Sequence, residues 1–290
     1  MKKQIDFMCV GVQKAGTSTL HDILIQHPNL KLPKLKETHH FRDDEKFTKG
    51  KEYYFSYYFN KGGKQEYYGE IDPEYAYFKE APDRIKSYFN ELKIVFIIRN
   101  PVDRAYSHYL MTQRRGLENL SFKDAVLNEQ ERLTSHYNKI HYSYISRGYY
   151  SEQIKRFEDL FGTANVEVVL FDDLIKDTKQ TVDEIANFLR LNKFEFDYDV
   201  KSNPASEAKN KQLRDFIYKP NTLKKVIGKL IPSKKLKDYL MSALNKKNLK
   251  PAVTEKLEPD FKKMIYQDYF VKEVELLESK LGVNLSNWKY

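Results

Sequence analysis

A single cysteine, Cys9, occurs among the 290 residues of the chain. One thiol cannot form an intramolecular disulfide, and it excludes a metal site built from several cysteines. Cys9 lies inside the first apolar run, where we expect it to be buried and to pack as a small apolar side chain. This cysteine content is typical of a protein in a reducing compartment.

Long apolar runs are also missing from the sequence. No stretch approaches the roughly 20 apolar residues that a membrane-spanning helix needs. The N-terminal segment MKKQIDFMCVGV has two lysines before an apolar run, but Asp6 interrupts that run, so we predict neither a signal peptide nor a membrane anchor. We therefore expect a soluble, cytoplasmic protein.

Acidic residues are scarce in one region. Residues 201–263 contain 17 Lys and Arg but 6 Asp and Glu, a net charge of +11, whereas the whole chain carries +9. A basic region of this kind attracts nucleic acid, an anionic membrane or an acidic polymer. A solvated, lysine-rich surface is the alternative interpretation.

The chain does have enough apolar residues for a large core. Hydrophobic residues make up 41% of it and aromatic residues 14%, and we predict one domain over residues 1–290. Near-continuous apolar runs at residues 5–12, 93–101 and 165–173 are typical of central strands in a parallel sheet. Helical patterns follow each run, so the sequence predicts an α/β fold with a doubly wound parallel sheet between helices.

Several helices and one aromatic segment can be placed from the pattern. Asn100 is a candidate N-cap with Pro101 at the first helical position, and a final helix is predicted from Asp260 to about Leu281. Apolar residues at 182, 185, 186 and 189 indicate another helix. The many Tyr and Phe side chains of residues 52–78 favour packing in a core or lid over base stacking. Residues 201–263 are predicted to form a helical, loop-rich subregion.

The stretch GVQKAGTSTL at residues 11–20 resembles a nucleotide phosphate loop with its lysine displaced. Gly11 and Gly16 have the spacing of G-x-x-x-x-G-K-[ST], but Thr17 follows where the lysine belongs, and the lysine is Lys14 inside the loop. Backbone amides from Ala15 through Ser18 to Thr19, at the start of a helix, would form an anion site.

The run at residues 93–101 ends in Arg99 rather than in the aspartate that would hold magnesium in a nucleoside triphosphatase. An arginine at the carboxyl end of a strand suggests a second phosphate site. One loop and one arginine describe adenosine 3′,5′-bisphosphate better than a triphosphate.

With these two elements in this order, the chain resembles the sulfotransferases that use 3′-phosphoadenylyl sulfate (PAPS). Within them it is similar to the carbohydrate branch, which includes the heparan sulfate sulfotransferases and bacterial relatives. The resemblance covers about residues 5–190 and is weaker towards the end. It implies a P-loop-like three-layer fold, in which Lys14, Gly16 and Thr17 bind the 5′-phosphosulfate, and Arg99 and Ser107 of RNPVDRAYS bind the 3′-phosphate.

The resemblance also implies a catalytic base in KETHHF, residues 36–41. Glu37 and His39 stand at the matching positions, with Glu37 as the base and His39 orienting the base or the acceptor. Lys14 would neutralise charge on the leaving oxygen. His40 is the expected bystander, because the corresponding position is usually aromatic. The scheme requires no metal, and a charged surface turn is the alternative interpretation of this segment.

The sequence departs from the family pattern at GEIDPEY, residues 69–75. Heparan-type enzymes commonly have E-K-[ST]-P there, so Ile71 replaces a lysine and Asp72 replaces a hydroxyl residue. Either Lys14 stabilises more of the charge or another basic residue enters. Arg104 of the arginine motif is open to two interpretations, a ligand contact or a structural ion pair.

The resemblance implies an enzyme that sulfates a hydroxyl of a carbohydrate, in a polysaccharide or a glycolipid. An ATP-dependent phosphotransferase and a non-catalytic protein that binds anions or nucleic acid are the alternatives. We expect the basic residues 201–263, with Lys209, Lys211 and Arg214 as candidates, to rim the acceptor cleft and attract a polyanionic glycan. Peripheral contact with an anionic membrane is the competing use.

Overall fold

The fold is described from a computed structural model, over residues 4–33, 35–59, 66–200, 206–219, 240–241, 243–245, 247–252 and 256–290. Of the predicted basic subregion, residues 201–205, 220–239, 242, 246 and 253–255 therefore lie outside the described residues. Two compact units are distinguished: one of residues 1–104, 147–202 and 263–290, and one of residues 105–146 and 203–262. The expectation of a single domain across residues 1–290 stays a prediction.

A five-stranded sheet forms the centre of the first unit, with its strands in the spatial order β2-β3-β1-β4-β5. Every neighbouring pair of strands is parallel. The strands are β1 (Phe7–Gly11), β2 (Leu30–Lys31), β3 (Tyr67–Ile71), β4 (Lys93–Ile98) and β5 (Val166–Leu170). The parallel α/β fold predicted from the sequence is confirmed.

The three predicted central strands are β1, β4 and β5, and the sequence analysis missed β2 and β3. β2 has two residues, too few for a pattern. β3 contains Gly69 and Glu70, which weaken a strand pattern. Gly69 is required there, because a Cβ atom at this position would lie 2.1 Å from the Phe7 ring of β1. The predicted run at 165–173 was also too long, since its last residues begin a helix.

Helices flank the sheet and connect its strands. In chain order the α-helices are α1 (Thr17–Leu24), α2 (Asp44–Phe47), α3 (Gly50–Tyr54), α4 (Ala81–Tyr88), α5 (Pro101–Arg114), α6 (Phe122–Leu127), α7 (Glu129–Arg132), α8 (His136–Tyr142), α9 (Tyr150–Phe161), α10 (Phe171–Lys176), α11 (Thr178–Phe188), α12 (Lys211–Tyr218), α13 (Pro259–Ile265) and α14 (Val271–Leu281). Phe157 of α9 packs edge-on against Phe96 of β4. Among these described helices, none combines the length and the apolar character that crossing a bilayer requires.

The helix boundaries agree with the capping signals in the sequence. The Asn100 side chain accepts hydrogen bonds from the backbone N–H of Val102 at 3.0 Å and of Asp103 at 3.3 Å, so it caps α5 with Pro101 first, as predicted. The predicted final helix is confirmed with one interruption, a π-helical turn at Tyr266–Phe270 between α13 and α14.

The aromatic segment and Cys9 are buried, as the sequence predicts. Cys9 is 0% exposed, and burial raises the pKa of its thiol to about 12. Between residues 52 and 78 the buried aromatic side chains are Tyr54, Phe55, Tyr58, Phe59, Tyr68, Tyr75 and Phe78. They form part of the core of the first unit.

The second unit has its own aromatic core and a small antiparallel sheet. Tyr109, Phe122 and Tyr144 contact one another, with ring centroids between 5.0 and 6.4 Å apart. The buried Glu118 carboxylate accepts hydrogen bonds from Tyr144 and Arg132, each at 2.8 Å. The sheet pairs β6 (Ser206–Ala208) with β7 (Leu249–Pro251), and the sequence analysis did not predict it.

Candidate active site

The phosphate-loop candidate is the turn between β1 and α1. Gly16 has φ of +84° and precedes the first helical residue, Thr17. A Cβ atom on Gly16 would lie 3.0 Å from the side chains of Phe171 and Leu174 in α10, so the loop is packed against that helix. The first-turn N–H groups of α1 belong to Thr17, Ser18 and Thr19, and a helix leaves such groups without an acceptor of its own. The Ala15 N–H instead donates to the Val12 carbonyl oxygen at 3.3 Å. That the loop binds an anion stays a prediction.

Arg99 lies beside this loop, at the carboxyl end of β4. Its Nη1 donates a hydrogen bond to the carbonyl oxygen of Lys14 at 3.2 Å. Its guanidinium lies 4.8 Å from the centre of the Phe171 ring, which also packs under Gly16. After β1 the chain continues to β2 and β3 on one side of the sheet, and after β4 it continues to β5 on the other side. The carboxyl ends of β1 and β4 therefore form the switch point of the sheet, where open α/β sheets bind ligands.

Arg104 supports the segment around Arg99 from inside the fold. It is 0% exposed, and it shares a hydrogen bond with the Tyr150 hydroxyl, which donates to the Arg99 carbonyl oxygen at 2.9 Å. This position favours the structural interpretation of Arg104 over a ligand contact. Ser107 lies one turn further along α5, in the second unit, and its contact with a 3′-phosphate stays a prediction.

Three buried carboxylates at the end of β3 hold the segment that contains Glu37. They belong to Glu70, Asp72 and Glu74, each at most 3% exposed. Glu70 accepts hydrogen bonds from Thr38, Tyr54 and Tyr75. Asp72 accepts from the backbone N–H of His39 at 2.6 Å, and Glu74 pairs with Arg42 at 2.5 Å. Each carboxylate therefore contacts a different residue of the short segment that follows the predicted base.

The predicted catalytic pair lies in one cluster with Asp72. Nε2 of His39 is 3.7 Å from a carboxylate oxygen of Glu37, and Nδ1 of the same ring is 3.1 Å from Oδ2 of Asp72. The side chains of Glu37 and His39 are 27% and 26% exposed, whereas that of Asp72 is 0% exposed. A solvent-facing carboxylate, an imidazole and a buried carboxylate thus follow one another.

The pKa values in this cluster move in different directions. Burial raises the pKa of Glu37, the charge of Asp72 raises it further, and His39 opposes both. Burial alone would lower the pKa of His39, but the charge and hydrogen bond of Asp72 outweigh burial and raise it. Burial also acts to raise the pKa of Asp72, but His39 and Arg42 hold it at about 2. Asp72 is therefore ionised at neutral pH, and Glu37 is a stronger base than a solvated glutamate.

The pKa values of the two other buried carboxylates, Glu70 and Glu74, also move in opposite directions. Burial and the nearby charge of Asp72 raise the pKa of Glu70 to about 7, against the hydrogen bonds that it accepts. Burial would raise the pKa of Glu74, but the charges of Arg147 and Arg42 lower it below its ordinary value. Gln13 of the phosphate loop also donates to Glu74 at 2.9 Å. Glu74 therefore connects the loop to the segment of the predicted base.

A second connection between loop and base segment is made by Lys36. Its ammonium donates a hydrogen bond to the Ser18 hydroxyl in the first turn of α1, at 2.8 Å. Lys36 precedes Glu37, and its positive charge acts to lower the pKa of that carboxyl group. Ile71, where the sequence departs from the family pattern, is buried.

Glu37, His39 and Asp72 also have the spacing of a cation site, since one ligand atom from each lies within 4.8 Å of the others. Within this group, Nδ1 of His39 lies 3.1 Å from Oδ2 of Asp72, and the same oxygen accepts the backbone N–H of His39 at 2.6 Å.

His40 points away from this chemistry into an aromatic cluster. It is buried, and burial, helped by cations such as Lys46, lowers its pKa to about 4. Its ring neighbours are Phe41, Phe47, Tyr54, Tyr58 and Tyr88. This packing agrees with its interpretation as a bystander.

The sequence analysis assigned no function to Glu70, Asp72, Glu74 or Lys36. One signal was available: acidic residues at every second position in GEIDPEY follow an aromatic run. In a strand this spacing places side chains on one face, and acidic residues that are buried there need partners. The partners themselves lie about 30 residues earlier in the chain, and no local pattern identifies them.

Comparisons with known proteins identify the family of this chain. A family model described as "Sulfotransferase domain" matches residues 4–269. The bifunctional heparan sulfate N-deacetylase/N-sulfotransferase 4 of Mus musculus is 29% identical over 194 residues, which cover 63% of this chain and 22% of that protein. The heparan sulfate glucosamine 3-O-sulfotransferase 5 of Mus musculus is 28% identical over 191 residues, covering 63% of this chain and 52% of that protein. The chain thus spans about half or less of the length of these relatives.

Among solved structures, a sulfotransferase from Alicyclobacillus acidocaldarius matches over nearly the whole length. The TM-score is 0.70 at 26% sequence identity, and the match covers 98% of both chains. The order of strands and the flanking helices therefore belong to a fold already known among sulfotransferases.

Proposed function

This chain belongs to the sulfotransferase domain family, and from that premise we propose that it transfers a sulfuryl group from PAPS to a hydroxyl group of a carbohydrate. Heparan sulfate sulfotransferases among its relatives support the carbohydrate class. The acceptor is a polysaccharide or a glycolipid, and the other product is adenosine 3′,5′-bisphosphate.

The observation that best supports this proposal is the hydrogen bond between Arg99 and the Lys14 carbonyl oxygen. It brings a guanidinium beside an anion cradle at the switch point of the sheet. In the proposal, Lys14 and the backbone amides from Gly16 to Thr19 hold the 5′-phosphosulfate, since the Ala15 N–H donates to Val12. Arg99, with Ser107, holds the 3′-phosphate.

Glu37 is the general base of the proposed reaction. As the acceptor oxygen attacks sulfur, its proton passes to the Glu37 carboxylate. The new bond between sulfur and the acceptor oxygen forms while the bond between sulfur and the bridging oxygen breaks. The electron pair of that bond stays on the 5′-phosphate, where the ammonium of Lys14 neutralises the developing charge. Burial of Glu37 supports this role, because a raised pKa strengthens a base.

Ile71 cannot neutralise the charge that the family lysine at this position would neutralise. We assign this role to Lys36. Its contact with Ser18 at 2.8 Å places an ammonium at the first turn of α1. There it would interact with the same phosphosulfate group as Lys14.

Nucleotide binding is the first test. Adenosine 3′,5′-bisphosphate is expected to raise the melting temperature of the protein in EDTA, because cationic side chains and backbone amides supply the positive field without a metal. The measurement is a thermal-shift titration of the full chain, with ATP and magnesium in a parallel series. ATP with magnesium should stabilise the protein less.

The opposite order would contradict the proposal. Stabilisation by ATP and magnesium alone would favour a P-loop phosphotransferase. Equal stabilisation by any polyanion, including short nucleic acids, would favour a protein that binds anions without catalysis. Turnover is then measured with labelled PAPS on a panel of polysaccharides, glycolipids and simple phenols, and sulfation of phenols alone would reject the carbohydrate class.

A further inference from the structure

We propose that Asp72 is a positioning residue that fixes the orientation and tautomer of His39, so that Nε2 of the ring faces Glu37. This inference rests on the proposed function, in which Glu37 accepts the proton of the acceptor hydroxyl. It adds a third member to the pair that the sequence indicates, and it assigns a role to a buried carboxylate that the transfer step does not itself use.

The Asp72 carboxylate is engaged with His39 twice. Oδ2 accepts the backbone N–H of His39 at 2.6 Å and lies 3.1 Å from Nδ1 of its ring. Oδ1 accepts the backbone N–H of Glu74 at 3.2 Å. A carboxylate that is 0% exposed needs such donors, because a buried charge without hydrogen bonds is strongly unfavourable. Two of its three contacts are with one residue.

The backbone of His39 also depends on this contact. His39 has φ of +54°, in the left-handed region that residues with a Cβ atom rarely adopt. The hydrogen bond from its N–H to Asp72 holds this conformation. The same carboxylate thus fixes both the main chain and the ring of His39.

The tautomer follows from the donor at Nδ1. When Nδ1–H points to Asp72, the lone pair of a neutral ring is on Nε2, which lies 3.7 Å from Glu37. Because 3.7 Å is longer than a hydrogen bond, a proton that Glu37 has taken from the acceptor would reach Nε2 of the neutral ring through one bridging water. The O–H bond on Glu37 breaks as the N–H bond on Nε2 forms, and the ionised Asp72 balances the charge of the imidazolium. No electrons are transferred in this step.

Other charged groups around the pair have partners of their own. Arg42 is bound to Glu74 at 2.5 Å, and Lys36 donates to Ser18. Asp72 is the anion in direct contact with Nδ1. The charged groups that act on His39 or Glu37 are Lys36, Arg42, Asp72, Glu74 and Arg147, together with the two side chains themselves.

A double-mutant cycle tests whether Asp72 acts through His39. Asp72→Asn and His39→Asn are each expected to lower kcat by about 10- to 100-fold, the usual cost of losing the partner that orients a functional histidine. The double variant should be no slower than His39→Asn alone, because the second change then has nothing left to orient. KM for PAPS should stay within about twofold of wild type, since no nucleotide contact is removed.

Stabilisation by adenosine 3′,5′-bisphosphate is the control for folding in every variant. If Asp72→Asn does not fold, Asp72→Ser takes its place, because a hydroxyl still accepts the His39 N–H but carries no charge. Losses of kcat that multiply in the double variant would overturn the proposal, since they would show a structural role independent of His39.

A second readout does not depend on turnover. In NMR spectra of protein with ¹⁵N-labelled histidine, Asp72→Asn should lower the pKa of His39, because burial then acts without the opposing carboxylate. The pKa of His40, in its aromatic cluster, should not move and is the matched control. An unchanged pKa and tautomer of His39 would overturn the proposal. If the wild type sulfates no acceptor, the proposed function fails, whereas this measurement still decides the role of Asp72.

Discussion

Individual side chains of one residue type have different chemistry in this site. Glu37, Glu70 and Glu74 are all carboxylic acids, yet the pKa of Glu37 is raised, that of Glu70 is raised to about 7 and that of Glu74 is lowered. Burial acts on all three, and the difference comes from their partners. Glu74 contacts two arginines, and Glu70 contacts three hydroxyl groups. Glu37 lies near the His39 ring, and part of its side chain is exposed to solvent. Among them, Glu37 has both access and a raised pKa.

At this scale the prediction concerns Glu37→Gln. The amide has nearly the same shape but cannot accept the proton, so kcat should fall by roughly a hundredfold or more. The affinity for adenosine 3′,5′-bisphosphate should stay within about twofold. Turnover with labelled PAPS and a titration of the bisphosphate measure the two quantities.

Arg99→Ala is the matched comparison, with the reverse expectation. It should mainly weaken nucleotide binding, because it removes the cation beside the loop and the hydrogen bond to Lys14. Near-normal turnover in Glu37→Gln would reject Glu37 as the base, whichever way Arg99→Ala behaves.

The positions of these side chains follow from where the strands of the sheet end. β1 ends in the phosphate loop, β4 ends at Arg99, and β3 ends at the carboxylates that hold the Glu37 segment. All three are parallel neighbours, so their carboxyl ends meet at one edge of the sheet. The α10 helix packs against the phosphate loop through Phe171 and Leu174.

The prediction at the element scale compares Gly16→Ala with Gly50→Ala. Both glycines have φ of +84°, but a Cβ atom at Gly50 would meet nothing within 4 Å, whereas one at Gly16 would meet α10 at 3.0 Å. Gly50→Ala should lower the free energy of unfolding by about 1–2 kcal/mol, the usual cost of the left-handed conformation for alanine. Gly16→Ala should cost more and should also reduce stabilisation by the bisphosphate.

Urea unfolding with and without adenosine 3′,5′-bisphosphate measures both effects. Equal losses in the two variants, with equal stabilisation by the nucleotide, would show that the contact between the loop and α10 is unimportant. They would also argue against the loop as the anion site.

Over the whole molecule, charge is unevenly distributed along the chain. Residues 201–263 carry a net charge of +11, while the rest of the chain carries −2. Of the three candidate residues, Lys209 and Lys211 are exposed, and Arg214 is half-buried and hydrogen-bonded to Asp215 at 2.7 Å. That this region rims an acceptor cleft stays a prediction, and long-range attraction of a polyanion is its physical basis.

The corresponding prediction is that replacing Lys209, Lys211 and Arg214 together by alanine weakens the apparent affinity for an acidic polysaccharide. The loss should be larger at low salt and should fade at moderate salt, because exposed charges are screened over about 8–10 Å at ordinary ionic strength. Kinetics on a soluble acidic polysaccharide across a salt series measure it.

A control variant removes three positive charges from another part of the surface, by replacing three other lysines with alanine. Lys79, Lys155 and Lys179 of the first unit have side chains that are 81%, 66% and 65% exposed. An equal loss in this control would assign the effect to net charge alone. Unchanged kinetics in the first triple variant, together with lost binding to anionic liposomes, would reject the cleft and favour a membrane surface.

Sequence patterns correctly predicted the parallel α/β fold, three strands of its sheet and the cap of α5, and they identified two candidate anion-binding elements. These features depend on local information: apolar runs, glycine spacing, and an Asn-Pro pair that stops a strand and starts a helix. Each strand, cap or loop can be recognised from its own neighbouring residues, and the alternation of strands and helices along the chain then predicts the fold. The short strand β2 and the polar strand β3 lack such local signals, so they were missed.

The partner of each carboxylate depends on the folded chain and not on local sequence. Glu70, Asp72 and Glu74 look alike in GEIDPEY, and their roles come from residues 38–42, which β2 and β3 bring to the same edge of the sheet. The contact between Lys36 and Ser18 and the burial of Arg104 are of the same kind. Pairing, burial and pKa depend on neighbours that are distant in the chain, and for that reason they become visible only once the chain is folded.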